Sequence, residues 1–189
     1  MSLFHQLREV VELPRSRVSR VLEVGPGAGA FSALLRHYDY RVATFDLDLS
    51  KQPDVIGSIT ALPFALGSVD MVCAFEVLQH LPYDRFRDAV RELAASSRRY
   101  VYLSLPCRVN SIDFHLNLRL YKRLARFSTK LRFSKILPGM MGDRDVVGGG
   151  FHQHYWEVNR RSYPKRRILT DLESVDLRIV KQFHNPVYP

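Results

Sequence analysis

The sequence predicts an α/β fold in which a doubly wound, mostly parallel sheet carries helices on both faces. Short, nearly continuous apolar runs alternate with amphipathic segments, and strands buried on both faces of a parallel sheet have this apolar character. The composition agrees, because 46% of the 189 residues are hydrophobic and 25% are charged. These values are ordinary for a globular domain and exclude a disordered tail, a collagen and a disulfide-rich miniprotein.

The first elements follow from the spacing of apolar residues. Apolar side chains recur with a helical period until Pro14, which predicts a helix over Leu3–Leu13. The mostly apolar run Val18–Val24 predicts a strand that enters the glycine-rich turn Gly25–Gly29. A helix is predicted directly afterwards, over Phe31–His37.

Further short apolar runs and one amphipathic segment complete the first half. A helix is predicted over Tyr83–Ala95, with Phe86, Val90 and Leu93 on one face. The strands predicted on either side of it are Tyr40–Phe45, Asp54–Gly57, Val69–Phe75 and Tyr100–Leu105. Strands that alternate with helices through right-handed crossovers form a doubly wound sheet.

The alternation breaks after the fifth strand and then resumes. Residues 107–157 contain a basic segment and a glycine-rich loop. A helix over Tyr163–Val175 and a sixth strand over Leu177–Phe183 are predicted after them. We expect a single domain, residues 1–189, whose parts are 1–106, the insertion 107–157, and the last helix and strand 158–189.

Positive charge is concentrated in the second half of the chain. The formal net charge is +9, of which residues 1–112 contribute +1 and residues 113–189 contribute +8. Residues 114–142 contain no acid, and the apolar residues at near-helical spacing there are Leu116, Leu120, Leu124, Phe127 and Leu131. This spacing predicts a basic amphipathic helix, which favours a membrane surface, a partner groove or a lid over an anionic substrate. The alternative is a lid that packs its apolar stripe on the domain and leaves its charges solvated. Residues 114–137 are the candidate for peripheral membrane contact, and nucleic acid is a further alternative partner.

Several classes of protein are excluded. No apolar run reaches the roughly 18–20 residues that a membrane-spanning helix needs, and the N-terminus lacks the features of a signal peptide. Cys73 and Cys107 show no zinc-type spacing with histidine. We therefore expect reduced cysteines, no metal site and a cytoplasmic protein that is at most peripheral to a membrane.

The glycine turn carries the first chemical signal. Glycines permit positive φ and allow a ligand to approach the backbone at a helix N-terminus, and Gly25, Gly27 and Ala30 also fit the dinucleotide-binding pattern. Glu23 would repel a pyrophosphate but attract a cationic ligand. Asp46 closes the second strand, where an acid can accept two hydrogen bonds from a ribose diol.

Five motifs in order along the chain resemble those of class I S-adenosylmethionine-dependent methyltransferases. They are VLEVGPGAG, FDLD, GSITALPF, SVDMVCAFEVLQHLP and YVYLSLP. They look most like the broad small-molecule branch that reads EVGxGxG, LPFxxxSFDxV and EVLEHL. The resemblance covers residues 18–106 closely and 155–185 loosely, and it does not cover 108–150. It implies a Rossmann-like fold, S-adenosylmethionine as the cofactor and S-adenosylhomocysteine as the product.

The resemblance also implies which residues bind the cofactor. Gly25, Gly27 and Gly29 would pack under its methionine part, with Glu23 near the sulfonium or amino end. Asp46 would hold the ribose hydroxyls, although it could instead cap the following turn.

The adenine and amino ends involve further residues by the same resemblance. Leu47 would pack on adenine, and the pair Ser58 and Ile59 would contact its edge. The family has an acid where this chain has Ser58, so the hydrogen bond to the adenine amino group would lack charge assistance. Phe75 would offer its carbonyl to the methionine amino group, with Glu76 beside it, unless Glu76 merely caps the next helix.

The family sheet normally ends with an antiparallel seventh strand inserted between strands five and six. Only Asn185–Pro189 is left for it here, and its two prolines make a poor central strand. We predict that this strand is missing.

The chemistry of the methyl acceptor makes histidines the candidate general bases. In methyl transfer from a sulfonium the protein aligns the acceptor and excludes water, and some acceptors, such as a protonated oxygen or nitrogen, also require a base. The candidates are His80, His152 and His154, of which His80 and His154 are the predicted catalytic pair. Residues 148–157 are expected to fold over the acceptor end of the cleft. The alternatives are a surface turn around a buried Trp156 and a His80 that is merely satisfied at the cleft edge.

The leading hypothesis is methyl transfer to an unidentified acceptor that is small or lipid-like, and the basic insertion makes an anionic acceptor one alternative. The chain lacks the Asn/Asp-Pro-Pro-Tyr motif of many base amino-methyltransferases after the fourth strand, which argues against exocyclic base amines. One alternative is a non-catalytic methyltransferase-like binding or scaffold module. Another is a nicotinamide-dependent dehydrogenase, against which Glu23 argues.

Overall fold

The described residues form one parallel sheet of five strands. The computed structural model describes residues 3–107 and 154–183 and the backbone of residues 112–118 and 127–133. The strand order is β3-β2-β1-β4-β5, and all neighbours are parallel. The strands are β1 (Arg20–Val24), β2 (Arg41–Asp46), β3 (Val55–Ile56), β4 (Val69–Phe75) and β5 (Ser97–Ser104). The predicted doubly wound α/β architecture is confirmed.

Helices cover both faces of this sheet. α1 (Leu3–Val11) and α2 (Ala30–His37) pack on one face through buried apolar side chains. α3 (Phe86–Ser96) and α4 (Lys165–Glu173) pack on the other face. β1 and β4 lie between these two layers and are buried along almost their whole length, which explains their nearly continuous apolar sequences.

The strand order reverses between β1 and β4. The chain proceeds outward from β1 to β2 and β3, and then returns to the other side of β1 for β4 and β5. The registers place Val24 beside both Phe45 and Ala74, so the carboxyl ends of three strands meet at one edge. In open α/β sheets, ligands bind in the crevice outside this switch point.

The predicted elements of the first half are confirmed with shifts at their ends. The helix predicted from Tyr83 begins with a short 3-10 turn over Tyr83–Arg85, and α3 follows it. The fifth strand begins at Ser97 rather than Tyr100, because Ser97 takes an extended conformation directly after the last residue of α3.

The predicted sixth strand over Leu177–Phe183 is wrong. This segment follows α4 but forms no strand, and β5 pairs only with β4 among the residues that the structure describes. A strand needs a neighbour to accept and donate its backbone hydrogen bonds, and apolar composition alone does not supply one. Val180 and Phe183 are accordingly exposed. The predicted loss of the seventh strand concerns Asn185–Pro189, which lie outside the described residues.

The predicted basic amphipathic helix is also wrong where the insertion is described. β6 (Ile112–Leu118) and β7 (Phe127–Phe133) form an antiparallel pair. Their sequences, IDFHLNL and FSTKLRF, alternate apolar and polar residues with a period of two, apart from Thr129. The register pairs apolar positions with each other, as at Phe114 and Leu131. Such alternation favours strands over a helix. Residues 108–111, 119–126 and 134–153 lie outside the described residues.

Candidate functional site

β1 ends in a turn whose glycines have left-handed backbone conformations. The φ angles are +72° at Gly25, +56° at Gly27 and +73° at Gly29. A Cβ at Gly25 would overlap the Cγ2 methyl of Val77, so both conformation and space require glycine there. Gly29 is the N-cap of α2. The turn thus lets a ligand approach the backbone at the start of a helix, as the sequence predicted.

Glu23 is buried next to this turn. Its residue is 3% exposed, and its Oε2 has no hydrogen-bond partner in the described part of the chain. Burial raises the pKa of Glu23 to about 7, against the opposing effects of hydrogen bonding to Ser32 and the charge of Arg36. A buried carboxyl oxygen without a partner costs free energy. A cationic or hydrogen-bond-donating ligand would recover that cost.

Asp46 lies at the neighbouring strand end. Its Oδ1 accepts a hydrogen bond from the N–H of Asp48 at 2.9 Å. Asp48 in turn accepts one from Ser50 and caps the short 3-10 helix Leu49–Lys51. Both acids therefore stabilise the turn after β2, Asp46 through its Oδ1 and Asp48 as the cap of the 3-10 helix. Leu47 is 58% exposed, which leaves an apolar surface beside Asp46 for the flat face of a ligand.

Of the two residues after β3 that are predicted to contact adenine, Ser58 is polar and exposed and Ile59 is buried. The Oγ of Ser58 lies 2.9 Å from the Oγ1 of Thr60. Ile59 is 7% exposed and belongs to the hydrophobic core. The side chain of Ile59 therefore holds the loop in place, and only its backbone is left to contact a ligand.

Phe75 and Glu76 end β4 at the same edge. The Phe75 ring packs edge-on against Phe31 and Tyr102, with ring centroids 5.0 and 4.9 Å away. Glu76 has a φ of +54°, and its carboxylate accepts a hydrogen bond from the Ser104 hydroxyl at 2.9 Å. Because a non-glycine residue in this conformation is strained, surrounding contacts must hold it there. Glu76 is fixed by Ser104 and does not start a helix.

The two predicted catalytic histidines lie together. The rings of His80 and His154 are 5.2 Å apart between centroids and inclined at 72°. The backbone N–H of Tyr155 donates to the carbonyl of Gln79 at 2.8 Å, and the indole N–H of Trp156 donates to the carbonyl of Leu81 at 3.0 Å. Residues 154–156 thus pack on the loop that follows β4. His152 lies outside the described residues.

Sequence reasoning missed Glu157. Its Oε1 lies 3.1 Å from the Nδ1 of His154, and its Oε2 accepts hydrogen bonds from Arg160. Partial burial acts to raise the pKa of Glu157, but the hydrogen bond from His154 and the charge of Arg160 outweigh it, so the pKa is lowered. The spacings of three residues between His154, Glu157 and Arg160 were the available signal.

Sequence reasoning also missed a contact that joins α4 to the start of α3. Asp171 is 3% exposed, and it accepts hydrogen bonds from the Tyr83 hydroxyl at 2.5 Å and from the Nε of Arg87 at 2.8 Å. Burial acts to raise the pKa of Asp171, but these partners outweigh it and the pKa is lowered. The guanidinium of Arg167 lies 4.5 Å from the centre of the Tyr83 ring, and Trp156 packs edge-on against the same ring.

The sheet edge therefore brings together the ends of β1, β2 and β4, whereas the histidine pair lies on the loop after β4. Among the residues that the structure describes, no group of three His, Cys, Asp or Glu side chains could hold a metal ion. Within the same ranges, no helix is long and apolar enough to cross a membrane.

Comparison with known proteins gives one family likeness. Residues 22–105 match the family model described as a methyltransferase domain. This part of the chain is similar to that methyltransferase domain, and the cofactor that the similarity indicates is S-adenosylmethionine. The buried, unpartnered oxygen of Glu23, next to the glycine turn, is suited to a ligand that carries sulfonium and ammonium groups.

Solved structures of similar fold come from several organisms. Magnesium protoporphyrin IX methyltransferase from Synechocystis, with bound S-adenosylhomocysteine, is 18% identical over 57% of this chain and 56% of its own, with a TM-score of 0.48. The 1,6-didemethyltoxoflavin N1-methyltransferase of Burkholderia thailandensis is 16% identical over 59% and 56%, with a TM-score of 0.47. A methyltransferase from Methanosarcina mazei is 18% identical over 57% and 58%, with a TM-score of 0.44.

The chain spans about half the length of the first solved structures it matches. No curated protein matched it.

Proposed function

We propose that this protein binds S-adenosylmethionine at the carboxyl edge of β1, β2 and β4 and transfers its methyl group to a small or lipid-like acceptor. The observation that carries the proposal is the buried Glu23, whose unpartnered oxygen lies by a turn of three left-handed glycines. Asp46, at the adjacent strand end, is the residue that would hold the ribose hydroxyls.

The bound cofactor would supply an activated methyl group on a good leaving group. The chain's own residues would bind it, orient the acceptor and exclude water. The predicted contacts of Leu47, Ser58, Ile59, Phe75 and Glu76 with the cofactor belong to this proposal.

Calorimetry with S-adenosylhomocysteine tests the binding step. We expect S-adenosylhomocysteine to bind and NAD not to bind. Asp46→Asn should weaken S-adenosylhomocysteine about tenfold, because charge-assisted hydrogen bonds to the ribose lose about 1.4 kcal/mol. Asp39→Asn is the matched control, since Asp39 is an exposed acid at the opposite end of β2. Binding of NAD, or an equal loss in both variants, would contradict the proposal.

We also propose that the base for the acceptor comes from the pair His80 and His154. Their ring contact supports this role. Replacing either by alanine should lower methyl transfer while leaving the affinity for S-adenosylhomocysteine within about twofold. His37→Ala is the control, because His37 is exposed at the end of α2. Unchanged transfer in both the His80 and His154 variants would exclude this role.

The acceptor is proposed to be anionic. Support comes from the positive charge of α4 and its approach, where Arg160, Arg161, Lys165, Arg166 and Arg167 lie close together in the chain. The direct test is transfer of a radiolabelled methyl group into a host lysate that is then separated into lipid, small-molecule, protein and RNA pools. Label in the lipid or small-molecule pool is the expected result, and label confined to RNA or protein would contradict it.

Peripheral membrane contact through residues 114–137, on a cytoplasmic protein, remains a proposal. The β6–β7 pair provides alternating apolar positions within this basic stretch. We expect sedimentation with anionic but not neutral vesicles, and release of the protein as salt screens the charges. Failure to bind anionic vesicles at low salt would exclude the contact.

A further inference from the structure

Three ionisable side chains from two distant segments meet on the loop that follows β4. His80 comes from that loop, whereas His154 and Glu157 come from the segment after the insertion. The rings of His80 and His154 are in edge-on contact, and the Nδ1 of His154 lies 3.1 Å from the Oε1 of Glu157. The order along this chain of contacts is carboxylate, imidazole, imidazole.

We propose that Glu157 is a positioning residue that fixes His154 with its proton on Nδ1, so that Nε2 can accept a proton from an acceptor hydroxyl. The proposal rests on the proposed methyl transfer, and it specifies the acceptor class as one with an O–H group.

The tautomer follows from the chemistry of the carboxylate. Arg160 holds the Oε2 of Glu157 with its Nε at 3.1 Å and its Nη2 at 2.9 Å. Partial burial acts to raise the pKa of Glu157, but its side-chain contacts, including the charge and hydrogen bond of Arg160, outweigh burial and lower the pKa. With Arg160 bound at Oε2, Glu157 is ionised near neutral pH. An ionised carboxylate can only accept hydrogen bonds. In the neutral imidazole the contact at Nδ1 is then N–H to oxygen, and the lone pair lies on Nε2.

The backbone that carries these side chains is fixed on both sides of Tyr155. The N–H of Tyr155 bonds to Gln79, and the indole of Trp156, 1% exposed, bonds to Leu81. The side chain of His154 nevertheless remains 34% exposed. An imidazole on a fixed backbone with part of its ring accessible suits a base that must reach an incoming acceptor.

His80 restricts the His154 ring from another direction. The two rings meet at 72° with their centroids 5.2 Å apart, which is an ordinary edge-on packing geometry. Rotation of the His154 ring would lose this contact and the Glu157 hydrogen bond together. The His80 contact and Glu157 therefore act on the same ring orientation.

A base in this position specifies the kind of acceptor. A carboxylate acceptor is already ionised and needs no base, whereas a hydroxyl must lose its proton as its oxygen becomes bonded to carbon. In the transfer, the oxygen–methyl bond forms, the methyl–sulfur bond breaks with its electron pair left on sulfur, and the hydroxyl proton moves to the Nε2 of His154. The proton is later returned to water.

Nitrogen NMR of histidine-labelled protein tests the tautomer without any acceptor. Spectra are recorded at alkaline pH, where the imidazole is neutral, and His154 is assigned from the spectrum of His154→Ala. We expect the Nδ1–H tautomer in the wild-type protein. In Glu157→Gln the amide oxygen should turn to Arg160, because two donors cannot face each other, and the amide NH₂ should then donate to Nδ1. The variant should therefore carry its proton on Nε2.

Glu173→Gln is the matched control, because Glu173 is an exposed acid at the end of α4, and its spectrum should keep the wild-type tautomer. A wild-type Nε2–H tautomer, or the same tautomer in wild type and Glu157→Gln, would overturn the proposal. Folding is checked by thermal unfolding of each sample.

The same samples separate this inference from the proposed function. If S-adenosylhomocysteine fails to bind any of them, the proposed function fails, while the tautomer result still decides the role of Glu157. Once an acceptor has been found, Glu157→Gln should lower kcat about 10- to 100-fold with the affinity for S-adenosylhomocysteine within about twofold. An unchanged kcat would also overturn the proposal.

Discussion

At the glycine turn the site depends on backbone conformation, whereas at residues 154–157 it depends on contacts between distant segments. Glu23, Gly25 and Gly29 lie within seven consecutive positions, and a single strand–turn–helix unit places them. His154 and Glu157 reach their place only because Trp156 and Tyr155 bond to a loop more than seventy positions earlier in the chain.

This difference predicts which contacts can be removed by substitution without disturbing the rest of the site. The glycine turn tolerates few substitutions, because its φ angles and its contact with Val77 are steric requirements. The acceptor side is held by separate hydrogen bonds, each of which can be removed alone. Substitutions should therefore affect cofactor binding on one side and stability or acceptor chemistry on the other.

The largest expected effect is on the glycine turn. Gly25→Ala should reduce the affinity for S-adenosylhomocysteine at least about 30-fold, because left-handed strain of about 1–2 kcal/mol and overpacking of about 1–3 kcal/mol add to about 2–5 kcal/mol. A Cβ at Gly27 meets no atom within 4 Å. Gly27→Ala should therefore introduce only the strain of the left-handed conformation and reduce the affinity for S-adenosylhomocysteine about tenfold. Calorimetry of both variants measures the difference.

A second substitution tests the steric contribution to the effect of Gly25→Ala. Val77→Ala in the Gly25→Ala background removes the overlapping methyl and should recover part of the affinity. Equal losses at Gly25 and Gly27, with no recovery, would show that the turn is not limited by this contact.

The next effect concerns stability on the acceptor side. Asp171→Asn should lower the free energy of unfolding by about 1.5–3 kcal/mol, because it weakens the bonds from Tyr83 and Arg87 to a buried carboxylate. Asp88→Asn, at a half-exposed surface pair, should change it by less than about 0.5 kcal/mol. Urea unfolding measures both, and the affinity for S-adenosylhomocysteine should be unchanged in each. A loss of that affinity in Asp171→Asn would show that the two sides are coupled.

The Asp171 carboxylate also predicts how the folding stability depends on pH in the acid range. The pKa of Asp171 is lowered in the folded state, so its contribution is present above its unfolded value near 3.8 and disappears as the pH falls through the folded value. The stability difference between wild type and Asp171→Asn should therefore narrow in acid. A constant difference down to the acid limit of folding would contradict this assignment.

Glu23 gives an effect of about tenfold on the cofactor side. Burial raises its pKa to about 7, and a cationic ligand favours the ionised form. The affinity for S-adenosylmethionine should thus rise about tenfold from pH 6 to pH 8, and this rise should be absent in Glu23→Gln. Calorimetry at both pH values measures it, and an identical pH dependence in the variant would exclude Glu23 as its source.

In the absence of ligand, Glu23 makes the folding stability fall as the pH rises, which is the opposite direction to its effect on the affinity for S-adenosylmethionine. A carboxyl whose folded pKa is raised stabilises the fold most at low pH, and this contribution is lost as the pH rises from about 4.5 through about 7. Glu23→Gln should therefore flatten the stability profile across this range.

The smallest effect is expected at Ser58, where the resemblance places an acid. Ser58→Asp should strengthen S-adenosylhomocysteine binding about three- to tenfold, because a charged acceptor makes a stronger hydrogen bond to the adenine amino group. Ser58→Ala should weaken it slightly. If neither variant changes the affinity measured by calorimetry, Ser58 does not contact adenine.

Most of the first half could be predicted because its signals are local. Residues 18–106 contain every strand of the described sheet and each motif predicted to bind the cofactor. These strands and motifs could be predicted from apolar runs, from glycines and from the acids beside them. The failures lie where two local patterns compete or where a partner is needed. Residues 112–118 and 127–133 fit a period of two better than a helix, and Leu177–Phe183 has strand-like composition without a strand neighbour in the described part of the chain.

The class of fold, the glycine turn and the acids at the strand ends could be predicted from the sequence, because they follow from backbone conformation and from spacing within one strand–turn–helix unit. The contacts of His80 and Glu157 with His154, and the bonds of Asp171 that join α4 to the start of α3, could be found only in the tertiary structure. Those contacts depend on how segments far apart in the chain pack, and no short pattern encodes the distance between them.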